Sequence, residues 1–231
     1  LIAVPWYKKT RENRDLKQRA IGRGLLMMGP DCGTAIINGA PLGFANSVPT
    51  GKVGLVSASG SGLQQVICLL AESGVGISHA LGVGGRDLSD EVDGAMMLEG
   101  LKALQEDSAT EIIVLISKPP AKSARDRVLE AASRSNKPCV IAFLGESEAT
   151  SAVDNVHMEK TLEDTAIRVL TTLGKEKPGW ASFDRMTGQR IESLSAELNS
   201  VRSIRGLYSG GTLAYESLFI LRDLGHQAGS E

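Results

Sequence analysis

Between Lys52 and Val66 the chain reads KVGLVSASGSGLQQV. An apolar stretch, Val53–Val56, runs into the small residues Ser57–Gly62 and then into a helix-forming run that starts at Leu63. A strand that turns sharply into a helix leaves several N–H groups without partners, and the helix dipole adds partial positive charge at the same place. Gly60 and Gly62 let an anion approach the main chain, and Ser57, Ser59 and Ser61 can add hydroxyl donors. The chemistry such a turn supports is phosphate or carboxylate binding; the plain alternative is a strand–helix corner. The same device recurs at Ile204–Glu216, IRGLYSGGTLAYE, where an apolar stretch meets Ser209, Gly210, Gly211 and Thr212 before another helical run.

Charged side chains stand near other turns. Lys118 precedes Pro119-Pro120, whose fixed φ places the lysine stiffly and favours a positioned charge. Arg86 and Asp87 follow two glycines. They read equally as a contact for a substrate carboxylate with its partner, or as an ion pair at the start of a helix. Cys32 sits in the loop Gly29–Thr34, without a His or Asn partner that spacing would assign to it. His79, His157 and His226 read as structural. HExxH, CxxC and Walker A patterns are absent, and no metal site is expected.

Strands alternating with amphipathic helices must hold these residues. The pattern predicts strands at Val53–Val56, Ile77–Val83, Glu111–Ile116, Pro138–Phe143 and Asn155–Met158. It predicts helices at Leu63–Ser73, Glu91–Ala103, Ala124–Ser135 and Leu162–Leu173, the last capped by Thr161 with Asp164 three residues on. That order implies an α/β fold, a parallel sheet with helices on both faces, whose ligands bind beyond the carboxyl ends of the strands. Four loops are expected at that edge: Ser57–Gly62, Gly84–Leu88, Ser117–Ala121 and Gly145–Asp154. Before this unit, Asp15–Arg23 reads as the end of a helix stopped by Gly24, Leu25–Met28 as a strand, and Asn38-Gly39 as a turn between short extended pieces. Leu1–Arg14 opens on the strand-like LIAVP, and the WYKKTRENRD that follows has no apolar period.

The composition is that of a globular chain. Hydrophobic residues make up 42% of the 231, charged residues 23%, and the formal net charge is −2. That balance excludes the concentrated basic footprint of a nucleic-acid binder. No apolar run is long enough to span a membrane and no signal peptide is apparent, so a cytoplasmic location is expected. Three scattered cysteines make neither a disulfide framework nor a zinc site.

The motifs GPDCGT, GKVGLVSASGSGLQQ, LGVGGRDLS, ISKPP and GLYSGGTLAYE, in this order and spacing, resemble the FdrA group. That group is itself similar to the succinyl-CoA synthetase α-subunit and to NDP-forming acyl-CoA synthetases. The resemblance implies a flavodoxin-like ligase domain over residues 49–174, preceded over 1–48 by the remnant of a CoA-binding Rossmann-like domain and its connector. Residues 175–203 are then a linker, and 204–231 the start of a second, similar unit. It places Ser57, Ser59, Gly60 and Ser61 on the phosphate-binding turn, and Gly29, Pro30, Asp31 and Cys32 on a loop beside the thioester end of CoA. Asp31 stands where the synthetases have Asn. Their phosphorylated His has no counterpart in GESEATSAVDN, and Lys118 replaces the Glu that orients it. A lysine cannot accept the imidazole proton but can bind an anion.

The resulting expectation is an acyl or carbamoyl transferase, with CoA or an acyl or carbamoyl phosphate as candidate substrate. Lys118 and Arg86 would act on the substrate, and Ser57–Gly62 would hold phosphate. FdrA relatives imply carbamoyl transfer with oxalurate or oxamate in allantoin catabolism, within an oligomer or with other subunits. The alternatives are a phosphohistidine ligase that borrows a His from elsewhere, and a phosphate-sensing scaffold without catalysis.

Overall fold

The computed structural model describes residues 2–3, 10–146, 155–176, 193, 205–208 and 210–226. Strand β1 (Ile2–Ala3) pairs in parallel with β2 (Met27–Met28), and helix α1 (Thr10–Ile21) lies between them in sequence. The main sheet follows: β3 (Thr34–Ile37), β4 (Ala40–Gly43), β5 (Thr50–Ser57), β6 (Ile77–Gly82), β7 (Ile112–Ser117), β8 (Cys139–Phe143) and β9 (Val156–Met158). It is ordered β4-β3-β6-β5-β7-β8-β9. Helices α2 (Gly60–Glu72), α3 (Ala95–Glu106), α4 (Lys122–Ser133) and α5 (Leu162–Thr172) connect or follow the strands, and α6 (Gly211–Asp223) comes last.

From β6 to β9 the sheet is parallel, as expected. The sheet as a whole is mixed. Asn38 and Gly39 take φ of 50° and 75°, the left-handed values of a tight hairpin, so β3 and β4 run antiparallel along one edge. Strand residues alternate between two apolar layers. Ile112, Val114 and Ile116 face α2 and α5, while Ile113 and Leu115 face α1, α3 and α4. Each fully buried Val, Leu or Ile contributes roughly 1.5–3 kcal/mol, and this two-sided burial is why the central strands are apolar throughout.

The chain passes from β5 to a neighbour on one side, β6, and then crosses to the other side for β7. That reversal opens a crevice at the carboxyl end of β5, where an open α/β sheet takes its ligand. The crevice falls on Ser57–Gly62.

Several boundaries shift by two to four residues from the sequence pattern: β5 begins at Thr50, α2 at Gly60, and α4 spans Lys122–Ser133. Helix α3 starts at Ala95 rather than Glu91, because Gly94 (φ 72°) breaks the helical path and the Asp87 carboxylate receives the first amides of α3, those of Met96 and Met97. Helix α1 reaches back to Thr10, into the stretch that carried no pattern. The linker expected over 175–203 and the loop Gly145–Asp154 lie mostly outside the described residues, as does Ser209.

The last helix, α6, seats on the amino end of α5. Glu216 Oε1 accepts from Leu162 N at 2.6 Å, completing the amino end of α5 together with Thr161, whose hydroxyl accepts from Asp164 N. Phe219 packs against the layer under α2 and α5. Burial raises the Glu216 carboxyl above its ordinary 4.5, Glu163 and Asp164 add to the rise, and the Leu162 bond opposes it. A raised acid holds its proton to higher pH in the folded chain than in the unfolded one. Its stabilising contribution is therefore full below 4.5 and is lost as pH rises through the folded value. Glu216→Gln keeps the acceptor and removes the charge. Its melting point should exceed that of the parent at neutral pH, and the gap should close near pH 4; an equal gap at both would show that ionisation of Glu216 carries no cost.

Candidate phosphate site

Ser59 is the N-cap of α2. Its extended backbone turns the chain into the helix, and its Oγ accepts from Gly62 N at 3.0 Å. Such a cap stabilises a helix by about 1 kcal/mol. Ser57 Oγ donates to Ser59 O at 2.7 Å and accepts from Ser59 N at 2.9 Å, so it locks the turn from below. These bonds correct the expectation for the two serines. Both are buried, and both hydroxyls are engaged in building the turn rather than offered to a ligand. The donors that remain are the amides of Gly60 and Ser61, which a helix start leaves unpaired, and the Ser61 hydroxyl.

The second Ser/Gly device arrives at the same place. Thr212, buried in the first turn of α6, shares a hydrogen bond between hydroxyls with Ser59. A Cβ on Gly62 would lie 3.1 Å from the Thr212 methyl, and one on Gly210 would lie 2.7 Å from Ser61 Oγ. Two helix amino ends therefore meet, α2 through Ser59–Gly62 and α6 through Gly210–Thr212. Gly210 supplies no side-chain cap, and among the described residues none caps the first amides of α6. Two dipole ends of like sign favour an anion between them and disfavour each other in its absence.

The Gly29–Cys32 loop and the loop after β6 close the site from one side. Gly82 and Gly84 leave no room for a Cβ: the first would overlap Cys32 Sγ, the second Pro30 O. A Cβ on Gly60 would stand 3.9 Å from Cys32 Sγ. At Gly85, Asp31 Oδ2 and Lys118 Nζ converge, 3.3 and 3.6 Å from where a Cβ would sit, with Ala58 O at 3.6 Å. Asp31 holds φ 73°, a left-handed value that Asp and Asn tolerate better than other side chains. The structure thus brings Gly29–Cys32, Ser57–Gly62, Lys118 and Gly210–Thr212 together.

Arg86 stands exposed on the loop that follows Gly85. Asp87 turns inward instead. It is completely buried, and Oδ1 receives Lys17 Nζ at 2.6 Å, so it is the ion pair at the start of α3. Lys17 carries no sequence signal, since a lysine in a polar helix reads as solvated.

Burial raises the Cys32 thiol above 9.0, against bonds from Thr34 and Gly84 that lower it, which keeps it protonated and unsuited to act as a thiolate. His79 lies in β6, its Nδ1 accepting from Asn38 N and its Nε2 3.5 Å from Asp107. His157 lies in β9 and His226 beyond α6. None of the three is among the residues gathered at Gly85. Among the described residues there is no cluster of metal-ligating side chains, and no helix is long and apolar enough to cross a membrane.

Residues 50–171 match the family model described as the succinyl-CoA ligase like flavodoxin domain. The chain is 41% identical over 209 residues to YahF, an uncharacterised protein of Escherichia coli K12, covering 90% of this chain and 40% of YahF. It is 32% identical over 133 residues to the α-subunit of the ADP-forming succinate–CoA ligase of Staphylococcus epidermidis, covering 56% and 42%. It spans well under half the length of either relative. The apo form of the dinucleotide forming acetyl-coenzyme A synthetase 1 of Ca. Korarchaeum cryptofilum shares the fold, with a TM-score of 0.52 at 21% identity over 71% of this chain and 41% of that one. So does ATP citrate lyase from Methanothrix soehngenii, solved with citrate and coenzyme A, with a TM-score of 0.53 at 17% identity over 99% and 40%.

Proposed function

Because the chain belongs to the family of succinyl-CoA ligase like flavodoxin domains, within the acyl-CoA synthetase superfamily, we propose that it carries the phosphate half of an acyl-transfer site. The observation that supports this reading most is the meeting of the α2 and α6 amino ends at Ser59 and Thr212. The phosphoryl group lies between the amides of Gly60, Ser61, Gly211 and Thr212, and Lys118 offsets its charge. Arg86 holds a substrate carboxylate, and Gly29–Cys32 flanks the acyl end, where the thioester of CoA would stand.

The reaction is transfer from an acyl or carbamoyl phosphate. The acceptor, an amine, amide or thiol, attacks the carbonyl carbon. The bond from that carbon to the bridging oxygen breaks, phosphate leaves with the electron pair, and the acceptor gives up its proton to the departing phosphate. Charge grows on the departing phosphate, so fixed dipoles and a cation at that point lower the barrier by electrostatic stabilisation and positioning, without a covalent histidine. The motifs shared with the FdrA group favour the carbamoyl form, with oxamate or oxalurate as partner substrate and further subunits or domains completing the enzyme. A phosphohistidine route finds no support in the placement of His79, His157 or His226.

Thermal-shift titration of the chain with carbamoyl phosphate, inorganic phosphate and CoA tests the reading. A ligand held only by the folded chain at 100 times its Kd adds about 2.7 kcal/mol. Carbamoyl phosphate and phosphate should each raise the melting point. A rise with CoA alone would reject the phosphate assignment.

A further inference from the structure

We propose that Lys17 is a positioning residue for the Gly84–Arg86 arm of the site, a role that rests on the phosphate reading of this edge. Lys17 is 1% exposed and lies on α1, outside the ligase domain proper. Its Nζ donates to Val83 O at 2.8 Å and to Asp87 Oδ1 at 2.6 Å. The two acceptors bracket the arm: Val83 opens it and Asp87 closes it. Val83 N is bonded in turn to Ser57 O at 2.8 Å, on the strand that feeds the phosphate turn. Asp87 is fixed by Met96 N at 3.1 Å and Met97 N at 2.8 Å, and its own carbonyl accepts from Gly94 N.

One ammonium therefore holds both ends of a three-residue loop at a set separation. The middle of that loop, Gly85, is where Asp31 and Lys118 converge. Docking α1 on α3 does not require this. An apolar side chain would fill the space without the desolvation penalty of a buried charge pair. What the pair adds is geometry, and through Val83 and Ser57 that geometry is passed to the α2 cap.

The test uses the whole chain and the double variant Lys17→Met/Asp87→Asn, which removes both buried charges together and leaves one acceptor for the α3 amides. Amide NMR spectra are recorded with and without inorganic phosphate, beside thermal melts. The positioning role predicts a folded double variant whose Gly84, Gly85 and Arg86 amide resonances move while those of α5 stay, and whose apparent Kd for phosphate rises about tenfold. The single variant Lys17→Arg, which keeps the charge and Asp87, should leave the three resonances near their parent positions. A folded double variant with unmoved Gly84–Arg86 resonances overturns the proposal and leaves Lys17 a packing residue. Should the parent chain show no response to phosphate, the phosphate reading fails by itself, and displacement of the three resonances still decides whether Lys17 sets the loop.

Discussion

Lys118→Glu should abolish the response to phosphate while leaving the fold intact. Lys118 is half-buried at the loop after β7. Its ammonium stands over Gly85 beside the exposed carboxylate of Asp31. A cation about 4 Å from a phosphate contributes about 4 kcal/mol at an effective dielectric of 20, and partial exposure reduces that severalfold. Lys118→Ala should therefore weaken phosphate by about tenfold, or about 1.4 kcal/mol. Lys118→Glu replaces attraction with repulsion and sets two carboxylates around one glycine, so the expected loss is about a hundredfold or more. Isothermal titration with phosphate reads both, and the melting points of the unliganded variants should stay within about 2 °C of the parent. Binding by Lys118→Glu within threefold of the parent would place the anion elsewhere.

Asp87→Ala should destabilise the chain strongly. The carboxylate is fully buried and receives three donors, from Lys17 and from the first two free amides of α3. Its loss uncaps the helix and leaves the Lys17 ammonium buried with Val83 O alone. Breaking a buried pair from one side costs about 3–5 kcal/mol, because the remaining charge is neither solvated nor paired. That is a large part of the stability of an ordinary domain. Urea denaturation should show the midpoint fall accordingly with the slope unchanged. Asp87→Asn, which keeps an acceptor for an α3 amide, should lose less. A loss under 1 kcal/mol for Asp87→Ala would mean that water reaches Lys17 when the partner is removed.

The fold was legible where pattern and burial agree. The apolar runs of β5, β7 and β8, short and bounded by turn residues, read as strands buried on both faces, and the Thr161 and Asp164 pair marks the start of α5 by a bond the structure contains. The turn at Ser57–Gly62 was legible for the same kind of reason, since Ser and Gly at that density mark a helix start. Its detail was not. Which hydroxyls face a ligand depends on where their own bonds go, and Ser57 and Ser59 use theirs within the turn and toward Thr212. The antiparallel edge was half-visible: Asn38-Gly39 announced a hairpin, but its attachment beside β6 follows from edge pairing, a long-range choice.

By its residue types and their order alone, the chain determined an α/β unit of alternating strands and helices, the strand–helix turn at Ser57–Gly62, and a second Ser/Gly motif before the last helical run. These are local matters of periodicity, turn chemistry and helix starts, and they act within a few residues of one another. The tertiary structure decided which of these segments meet. It brought the amino end of α6 to that of α2 across 153 positions, set Asp31 and Lys118 on one glycine, and buried Lys17 against Asp87 across 70. Such pairings have no sequence period, because they arise only when packed layers bring distant loops to one sheet edge. A buried lysine in a polar helix looks like any solvated one until the partner that makes its burial tolerable is in place.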